Sequence, residues 1–353
     1  MPSTLHLPPT FGICGYSGAG KTTVILELIR ELSTRGLQVG VVKHDTHGLN
    51  FDHEGKDTDR IFRAGADVLI RGPDQLFLRA HDRGDLTLHD TLRQMAPYYD
   101  LLLVEGHKTT PLENKIWLCG EGGEPPPPEA TNIRRVLLRS EDRTRIVLEM
   151  IDAWLPAAWQ VAPLYAGILI GGQSMRMGRP KHLLADGGTT WLERTVAVVT
   201  PCVAQVVLLG KGEVPERLRH LPLLPDVPDA QGPLRGMLAA MRWAPAASWL
   251  FLPCDVPLLS EAAIRWLIAQ RRPGVWGALP LLPGAKRPEP LPGYYDWRVA
   301  RFLERARGPI DLAAERQVAQ PPVPPELAGS WRNVNTPDDL LAVAAKPGKR
   351  IVT

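Results

Sequence analysis

The sequence has few cysteines and no long run of charge of one sign. Its four cysteines are far apart and form no C-x-x-C pair: Cys14, Cys119, Cys202 and Cys254. This spacing argues against a disulfide framework or a zinc site and favours reduced thiols. The net charge is only +3, and no Lys/Arg block is present. We therefore expect no nucleic-acid partner.

Long apolar segments are also lacking. No run approaches the roughly 20 apolar residues that a helix needs to cross a bilayer. The first residues, MPSTLHLPPT, lack the basic and apolar regions of a secretory signal peptide. We therefore expect a cytoplasmic protein with no membrane partner.

The remaining composition is that of a globular protein with more than one domain. The chain has 353 residues, of which 44% are hydrophobic and 22% charged. Segments of strand character alternate with helical periodicity in both halves, which predicts an α/β fold with parallel sheets. A closing helix is expected at Ile146 to Leu155, before a Pro/Ala-rich stretch. The predicted domains are 1–156 and 165–353, joined by a linker at 157–164.

A complete phosphate-binding motif lies near the start of the chain. A short strand at Phe11 to Gly15 runs into GYSGAGKT, which matches G-x-x-x-x-G-K-[ST], and a helical pattern follows. This context predicts a P-loop rather than a Gly-rich turn before an ordinary helix. Lys21 would reach the β- and γ-phosphates, and the Thr22 hydroxyl would ligate Mg²⁺. The predicted nucleotide-binding residues are Gly15, Tyr16, Ser17, Gly18, Ala19, Gly20, Lys21, Thr22 and Thr23.

Two polar strand ends follow the P-loop. An apolar run ends in Glu105, the Walker-B pattern, whose carboxylate would bind Mg²⁺ or orient a water. The alternative for Glu105 is an acidic helix cap. The cluster His44, Asp45 and His47 follows a predicted strand at Leu37 to Val42 and could ligate a metal. We favour the alternative, a polar loop near the phosphates.

The second half opens with a phosphate loop of a different design, AGILIGGQSMRMGRPK. A buried strand is predicted at Ala166 to Ile170. Gly171 and Gly172 then let the backbone come close to a ligand, and successive N–H groups can line an anion site. Lys181 closes the segment with a positive charge. One chain therefore carries two predicted triphosphate sites.

A second strand-end carboxylate lies in LPCDVP, where two prolines frame Asp255. We predict that Asp255 ligates Mg²⁺, because a hard cation on phosphates needs carboxylate oxygen. A lone aspartate at this place would be a turn residue. In NVNTPDD, Asn333 and Asn335 either recognise a ligand or hold the turn together. The Pro-rich stretch 286–295 is predicted to be an irregular loop over the site.

The motifs of the first half resemble a known family. GYSGAGKTT, VVKHDTHG, DTDRIFRAGAD and LLLVEGHK, in this order, are similar to the molybdopterin-guanine dinucleotide biosynthesis adapter (MobB) proteins. The resemblance covers residues 11–155. It implies a P-loop domain that binds GTP, hydrolyses it weakly, is often dimeric and assists guanylyl transfer to molybdopterin. No N-K-x-D guanine-reading motif is present.

The motifs of the second half resemble the molybdenum cofactor guanylyltransferases (MobA). IGGQSMRMGRPK, QGPLRGM, LPCDVP and NVNTPDDL carry the resemblance, over residues 165–345. It implies a Rossmann-like nucleotidyltransferase sheet, with Lys181 and Asp255 catalytic and Asn333 and Asn335 near molybdopterin. The implied GTP-binding residues are Leu169, Ile170, Gly171, Gly172, Lys181, Asp226 and Asp255. The sequence departs from the family at two places: Arg235 replaces the usual Ala, and Gly-Lys-Gly after Leu209 replaces an Asn that contacts guanosine.

These features predict a fusion of a MobB-like adapter with a MobA-like enzyme. The enzyme would transfer GMP from GTP to molybdopterin with Mg²⁺ and release pyrophosphate. Molybdoenzymes and other cofactor biosynthesis proteins are the implied partners, with a homodimer through the N-terminal domain. The alternative is a cytidylyltransferase or sugar-1-phosphate nucleotidyltransferase fused to a P-loop kinase-like domain. The N-terminal half could also be a GTP-gated binding module without chemistry of its own.

Overall fold

The computed structural model describes residues 8–45, 52–81, 83–84, 86–170, 180–334 and 339. The chain divides into two compact units between Ile151 and Asp152. Within the described ranges, no helix has the length and apolar character needed to cross a bilayer. The sites predicted at His47, Gly171, Gly172 and Asn335 lie outside the described residues.

The N-terminal unit contains a five-stranded sheet in the order β2-β5-β1-β6-β7, and all its pairings are parallel, as predicted. A separate antiparallel pair is formed by β3 and β4. The strands are β1 (Thr10–Cys14), β2 (Val39–Lys43), β3 (Val68–Arg71), β4 (Leu76–Arg79), β5 (Leu101–Glu105), β6 (Asn114–Leu118) and β7 (Ile133–Leu137). The helices are α1 (Lys21–Thr34), α2 (Asp57–Arg63) and α3 (Leu88–Met95).

Local chemistry explains the strand–loop–helix unit at the start of this sheet. Every residue of β5 is buried, and β1 is buried after Thr10, so both strands are apolar runs in the middle of the sheet. Helix α1 packs through Val24, Ile25, Leu28 and Leu32, the spacing of one helical face. Because β1 and β5 are parallel, the P-loop and Glu105 lie at the same edge of the sheet.

The C-terminal unit contains a seven-stranded sheet in the order β12-β11-β8-β13-β15-β14-β16. The strands are β8 (Leu164–Leu169), β11 (Gln205–Leu209), β12 (Leu223–Leu224), β13 (Ser248–Pro253), β14 (Gly277–Ala278), β15 (Gly293–Tyr295) and β16 (Val318–Ala319), with a small hairpin of β9 (Ala185–Asp186) and β10 (Thr189–Thr190). The helices are α5 (Trp191–Val199), α6 (Leu234–Trp243), α7 (Glu261–Ile268) and α8 (Ala300–Leu303).

This sheet is mixed, so the prediction of a parallel sheet is wrong at β15, whereas the other pairings, including β14 with β16, are parallel. Strand β15 pairs antiparallel with both β13 and β14. It lies in the Pro-rich stretch that was predicted to be irregular. Tyr294 and Tyr295 are fully buried and join the two apolar cores on opposite faces of the sheet. A three-residue strand directly after a proline shows no alternating pattern, and therefore its burial is not visible in the sequence.

The predicted linker is shorter than expected. Helix α4 (Arg143–Trp159) includes Pro156 and continues three residues into the predicted linker. Proline inside a helix removes one hydrogen bond, which is why the sequence suggested a helix end there. Trp159 is buried in an apolar cluster with Met241 and Trp249, and this burial favours continuation of the helix. Only residues 160–163 separate α4 from β8.

Candidate functional site

A cavity of about 470 Å³ lies at the edge of the C-terminal sheet where β8, β11 and β13 end. It brings together every described residue of the predicted GTP-binding set: Leu169, Ile170, Lys181, Asp226 and Asp255. Its other lining residues are His182, Leu209, Gly232, Pro233, Arg235, Gly236, Pro253, Cys254 and Leu291. Ligands of open α/β sheets bind at such carboxyl ends of strands.

The parallel register explains why residues so far apart in sequence meet here. Leu169 at the end of β8 pairs with Leu209 on one side and with Pro253 on the other. Asp226 follows β12, and Asp255 follows β13. Asp226 and Asp255 are therefore separated by three strand spacings of about 4.8 Å, roughly 14 Å across the sheet.

An ion pair occupies the β13 end of the cavity. Lys181 Nζ donates to Asp255 Oδ2 at 3.0 Å, and the two side chains are 16% and 23% exposed. The main chain of Asp255 is fixed as well, because its carbonyl accepts a hydrogen bond from the Val334 N–H at 2.9 Å. This end of the cavity therefore presents one carboxylate and one ammonium group, the residue types that bind a hard cation and a phosphate.

His182 is a buried residue of the cavity that the sequence did not indicate. Its Nε2 donates to the Glu213 carbonyl at 2.9 Å, which leaves Nδ1 without the proton in the neutral ring. Burial lowers the pKa of His182 from its ordinary value of 6.5, against the opposing effect of the Glu213 carbonyl. We infer that His182 is neutral at pH 7 and holds the chain next to Lys181 in place.

The lowered pKa of His182 predicts a loss of stability in acid. As the pH falls below 6.5, His182 takes up a proton at a higher pH in the unfolded chain than in the folded protein. The stability that neutral His182 contributes above pH 6.5 is therefore lost on acidification. The effect is at most about 1.4 kcal/mol per pH unit for one proton. Urea unfolding between pH 5 and 7.5 should show a shallower pH dependence for His182→Gln than for the unchanged protein. The exposed His220 provides the control: His220→Gln should keep the original slope. Equal slopes for all three proteins would contradict the assignment.

Cys254 lines the cavity but is not a nucleophile at neutral pH. Burial, reinforced by the neighbouring charge of Asp255, raises the pKa of the Cys254 thiol to about 12. The thiolate is the reactive form of cysteine, so this group stays inert.

Gly236 allows helix α6 to approach the sheet at the cavity wall. A Cβ at this position would lie 2.8 Å from Leu169 Cδ2 and 3.1 Å from Leu209 Cβ. A glycine inside a helix costs about 1 kcal/mol relative to alanine, so its presence at this point of the helical pattern was a signal of close packing. The sequence prediction did not use that signal.

Of the two predicted acceptor residues, only Asn333 is described, and it is not among the residues that line the cavity. Asn333 is exposed, and it precedes Val334, whose N–H bonds to Asp255. The Pro-rich stretch does reach the cavity, through Leu291. Glu289 is not among the lining residues.

The N-terminal phosphate loop has the expected start. Gly20 precedes α1 with φ +84°, a backbone conformation that favours glycine. Lys21 Nζ donates to the carbonyls of Gly15 and Tyr16 at 3.1 and 2.9 Å. Glu105 is buried and pairs in register with Ile13, just before the loop. Thr22 lies exposed in the first turn of α1, so the predicted metal ligands share one edge of the sheet.

Arg143 is a buried residue that supports this loop, and the sequence did not indicate it. Its buried guanidinium donates to the carbonyls of Ala19 at 2.8 Å and Leu138 at 2.9 Å, and also to the Cys119 carbonyl. One side chain thus ties the P-loop to the ends of two neighbouring segments. Nothing in the local pattern distinguishes Arg143 from an exposed arginine, because its acceptors are carbonyls that come together only in the fold.

The histidine cluster after β2 is only partly described. The rings of His44 and His107 have centroids 4.9 Å apart. Burial, followed by the charges of His44 and Lys115, lowers the pKa of His107. In the described ranges no group of three or more His, Cys, Asp or Glu could hold a metal. With His47 outside those ranges, both interpretations of this cluster stay open.

Both halves match known family models. Residues 10–137 match the family described as molybdopterin guanine dinucleotide synthesis protein B, MobB. Residues 166–329 match the MobA-like NTP transferase domain.

Individual relatives match the same two halves. A "Probable molybdenum cofactor guanylyltransferase" of Bacillus cereus is 32% identical over 165 residues, 44% of this chain and 82% of the relative. A molybdopterin-guanine dinucleotide biosynthesis adapter protein of Haemophilus influenzae is 37% identical over 163 residues, 42% of this chain and 89% of the relative. The solved structure of molybdopterin-guanine dinucleotide biosynthesis protein A from Archaeoglobus fulgidus is 26% identical, with a TM-score of 0.42, and covers 50% of this chain and 95% of its own. The chain therefore belongs to two families at once, joining a MobB adapter to a nucleotidyltransferase of the molybdenum cofactor guanylyltransferase family.

Proposed function

We propose that the C-terminal unit transfers GMP from GTP to molybdopterin, giving molybdopterin guanine dinucleotide and pyrophosphate. The N-terminal unit binds a second GTP and assists this transfer. The observation that carries the proposal is that the Lys181–Asp255 pair lines the same cavity as Leu169, Ile170 and Asp226.

The reaction is a displacement at phosphorus. An oxygen of the terminal phosphate of molybdopterin forms a bond to the α-phosphorus of GTP, and the bond from that phosphorus to the pyrophosphate oxygen breaks. The attacking phosphate is already anionic, so no side-chain nucleophile is required, and the inert thiol of Cys254 agrees with this. The protein must position the two anions and neutralise the charge that develops on pyrophosphate. Lys181 can supply that positive charge.

The donor set at this end of the cavity suits Mg²⁺. Asp255 offers hard carboxylate oxygens, and Mg²⁺ is commonly held by one or two carboxylates together with substrate phosphates. When bound, Mg²⁺ would neutralise charge on the α- and β-phosphates. Asp255 would hold it, and Lys181 would then be available to the phosphates instead of to Asp255.

The acceptor side is proposed from the position of Asn333. Val334 bonds to the Asp255 carbonyl, so the exposed Asn333 lies at the phosphate end of the cavity. We assign Asn333 to molybdopterin on this basis, and Asn335, outside the described residues, on its place in the NVNTPDD motif. In the N-terminal unit, residues 15–23 would bind GTP, with Thr22 and Glu105 on Mg²⁺. Dimerisation through this unit and delivery to a molybdoenzyme stay predictions.

The decisive experiment is the product mass. The full chain is incubated with GTP, Mg²⁺ and molybdopterin, and pyrophosphate is assayed alongside. We expect molybdopterin guanine dinucleotide and one pyrophosphate per product. Parallel incubations replace GTP by CTP, or molybdopterin by sugar 1-phosphates. Pyrophosphate release only in those incubations would refute the proposal in favour of a cytidylyl- or sugar nucleotidyltransferase.

The two-site proposal predicts a change of binding stoichiometry. Titration calorimetry with GTP and Mg²⁺ should give two GTP per chain, and Lys21→Ala should give one. Lys21 would neutralise phosphates, and its loss also frees the Gly15 and Tyr16 carbonyls that it holds. Arg30→Ala, which removes an exposed charge from the same helix, is the control and should keep two sites. Two sites in the Lys21 variant would argue against the P-loop assignment.

A further inference from the structure

Arg235 is a charged residue of the cavity that the reaction outlined above does not use. It is the second residue of α6, half-buried, and lines the cavity with Asp226 and Gly236. It also stands at one of the two positions where the sequence departs from the family that it resembles. Its chemistry therefore has to be read from its surroundings.

Within the described part of the chain, the guanidinium of Arg235 has one hydrogen-bond partner. Its Nε donates to the Val227 carbonyl at 3.1 Å, and the Val227 N–H in turn bonds to the Arg235 carbonyl at 3.3 Å. Asp226 directly precedes this anchor, yet among the described residues Arg235 forms no ion pair. Anchoring through Nε orients the plane of the guanidinium and leaves its two Nη groups as donors.

The position of Arg235 marks the nucleoside end of the cavity. Its neighbour Gly236 lies against Leu169, Leu209 and, at 3.7 Å from a Cβ placed there, Asp226 Oδ1. Leu169 and Leu209 are the last residues of β8 and β11, and Asp226 follows β12, whereas Asp255 follows β13, on the other side of β8. A triphosphate held at Lys181 and Asp255 would therefore leave the end of the cavity beside Arg235, Leu169 and Leu209 for the ribose and base.

We propose that Arg235 reads the base, donating from its guanidinium to O6 and N7 of guanine. This inference rests on the proposed guanylyl transfer. Arginine matches these two adjacent acceptors in a bidentate manner. Adenine carries an amino donor at position 6, and cytosine carries one at position 4, so neither presents the same pair of acceptors to Arg235. Arg235 thereby supplies a guanine contact at a site whose neighbouring strand end, Gly210-Lys211-Gly212, offers no side-chain amide.

Base analogues test this contact directly. In the transfer assay with the full chain, 7-deaza-GTP lacks N7 but keeps O6, whereas ITP lacks the 2-amino group and keeps both acceptors. We expect kcat/KM of the unchanged protein to fall about tenfold with 7-deaza-GTP and to change less than about threefold with ITP. Arg235→Ala should lower kcat/KM for GTP about 10- to 100-fold, mainly through KM, and should use GTP and 7-deaza-GTP equally.

The controls separate this contact from charge and from folding. Arg235→Lys keeps the charge without the planar pair of donors and should also lose the preference for GTP over 7-deaza-GTP. Arg305→Ala removes an exposed charge that does not line the cavity and should keep the original ratio. The ratio is measured within one preparation, so partial unfolding of a variant does not alter it. An unchanged ratio in Arg235→Ala would overturn the inference and leave guanylyl transfer intact. Absence of any product from GTP and molybdopterin with the unchanged protein would overturn both.

Discussion

Replacement of Asp255 by asparagine should abolish guanylyl transfer and leave the fold intact. Asparagine keeps the shape of the side chain but removes the negative charge of the carboxylate that we assign as the Mg²⁺ ligand. We expect kcat to fall at least 10²- to 10³-fold, on the scale of removing one preorganised electrostatic contact in other active sites. The main-chain bond from Val334 to the Asp255 carbonyl does not depend on the carboxylate and should persist.

The matched control for this variant is a carboxylate on the same unit but outside the cavity. Asp229 pairs with Arg242 at 2.8 Å on the surface, and Asp229→Asn should keep the rate within about twofold. Thermal unfolding of both variants reports on the fold. If Asp255→Asn turned over GTP near the normal rate, Asp255 would not be the metal ligand, and the metal would have to bind elsewhere.

Local signals were sufficient for the elements that lead into the two sites. Helix α5 begins at a capping box of Thr190 and Glu193, a start signal that can be read from neighbouring residues. Strand β11 is a short, mostly apolar run, QVVLL, whose last four residues are buried. The P-loop was predicted because its glycines, its lysine and the flanking apolar patterns are adjacent in sequence.

Features that depend on distant partners were not visible in the same way. Strand β15 is defined by pairing with β13 and β14, and Trp159 extends α4 through a core made of later residues. His182 and Arg143 are held by backbone carbonyls. Because every residue has a carbonyl, no pattern of side chains in the sequence indicates these contacts. The described residues of the predicted GTP-binding set line the candidate cavity, but its other lining residues, its size and the direct Lys181–Asp255 contact required the fold.

That contact changes how the lysine is interpreted. Lys181 was predicted to bind GTP and to be catalytic, and in the structure its ammonium group lies 3.0 Å from the Asp255 carboxylate that we assign as the Mg²⁺ ligand. The two residues therefore form one coupled unit, and their effects on catalysis should not add. A double variant, Asp255→Asn with Lys181→Ala, should be little slower than Asp255→Asn alone.

Lys181→Ala should cost far more in transfer than in GTP binding. Negative charge on the departing pyrophosphate grows as the bond to the α-phosphorus breaks, so a cation at this place stabilises the transition state more than bound GTP. We expect kcat to fall about 10²- to 10³-fold and the Kd for GTP to rise less than about tenfold, measured by single-turnover kinetics and titration calorimetry. Arg305→Ala removes an exposed charge outside the cavity and should leave both quantities unchanged. Equal losses in rate and in affinity would mean that Lys181 only binds GTP, and charge stabilisation in the transition state would then fall to Asp255 and its metal alone.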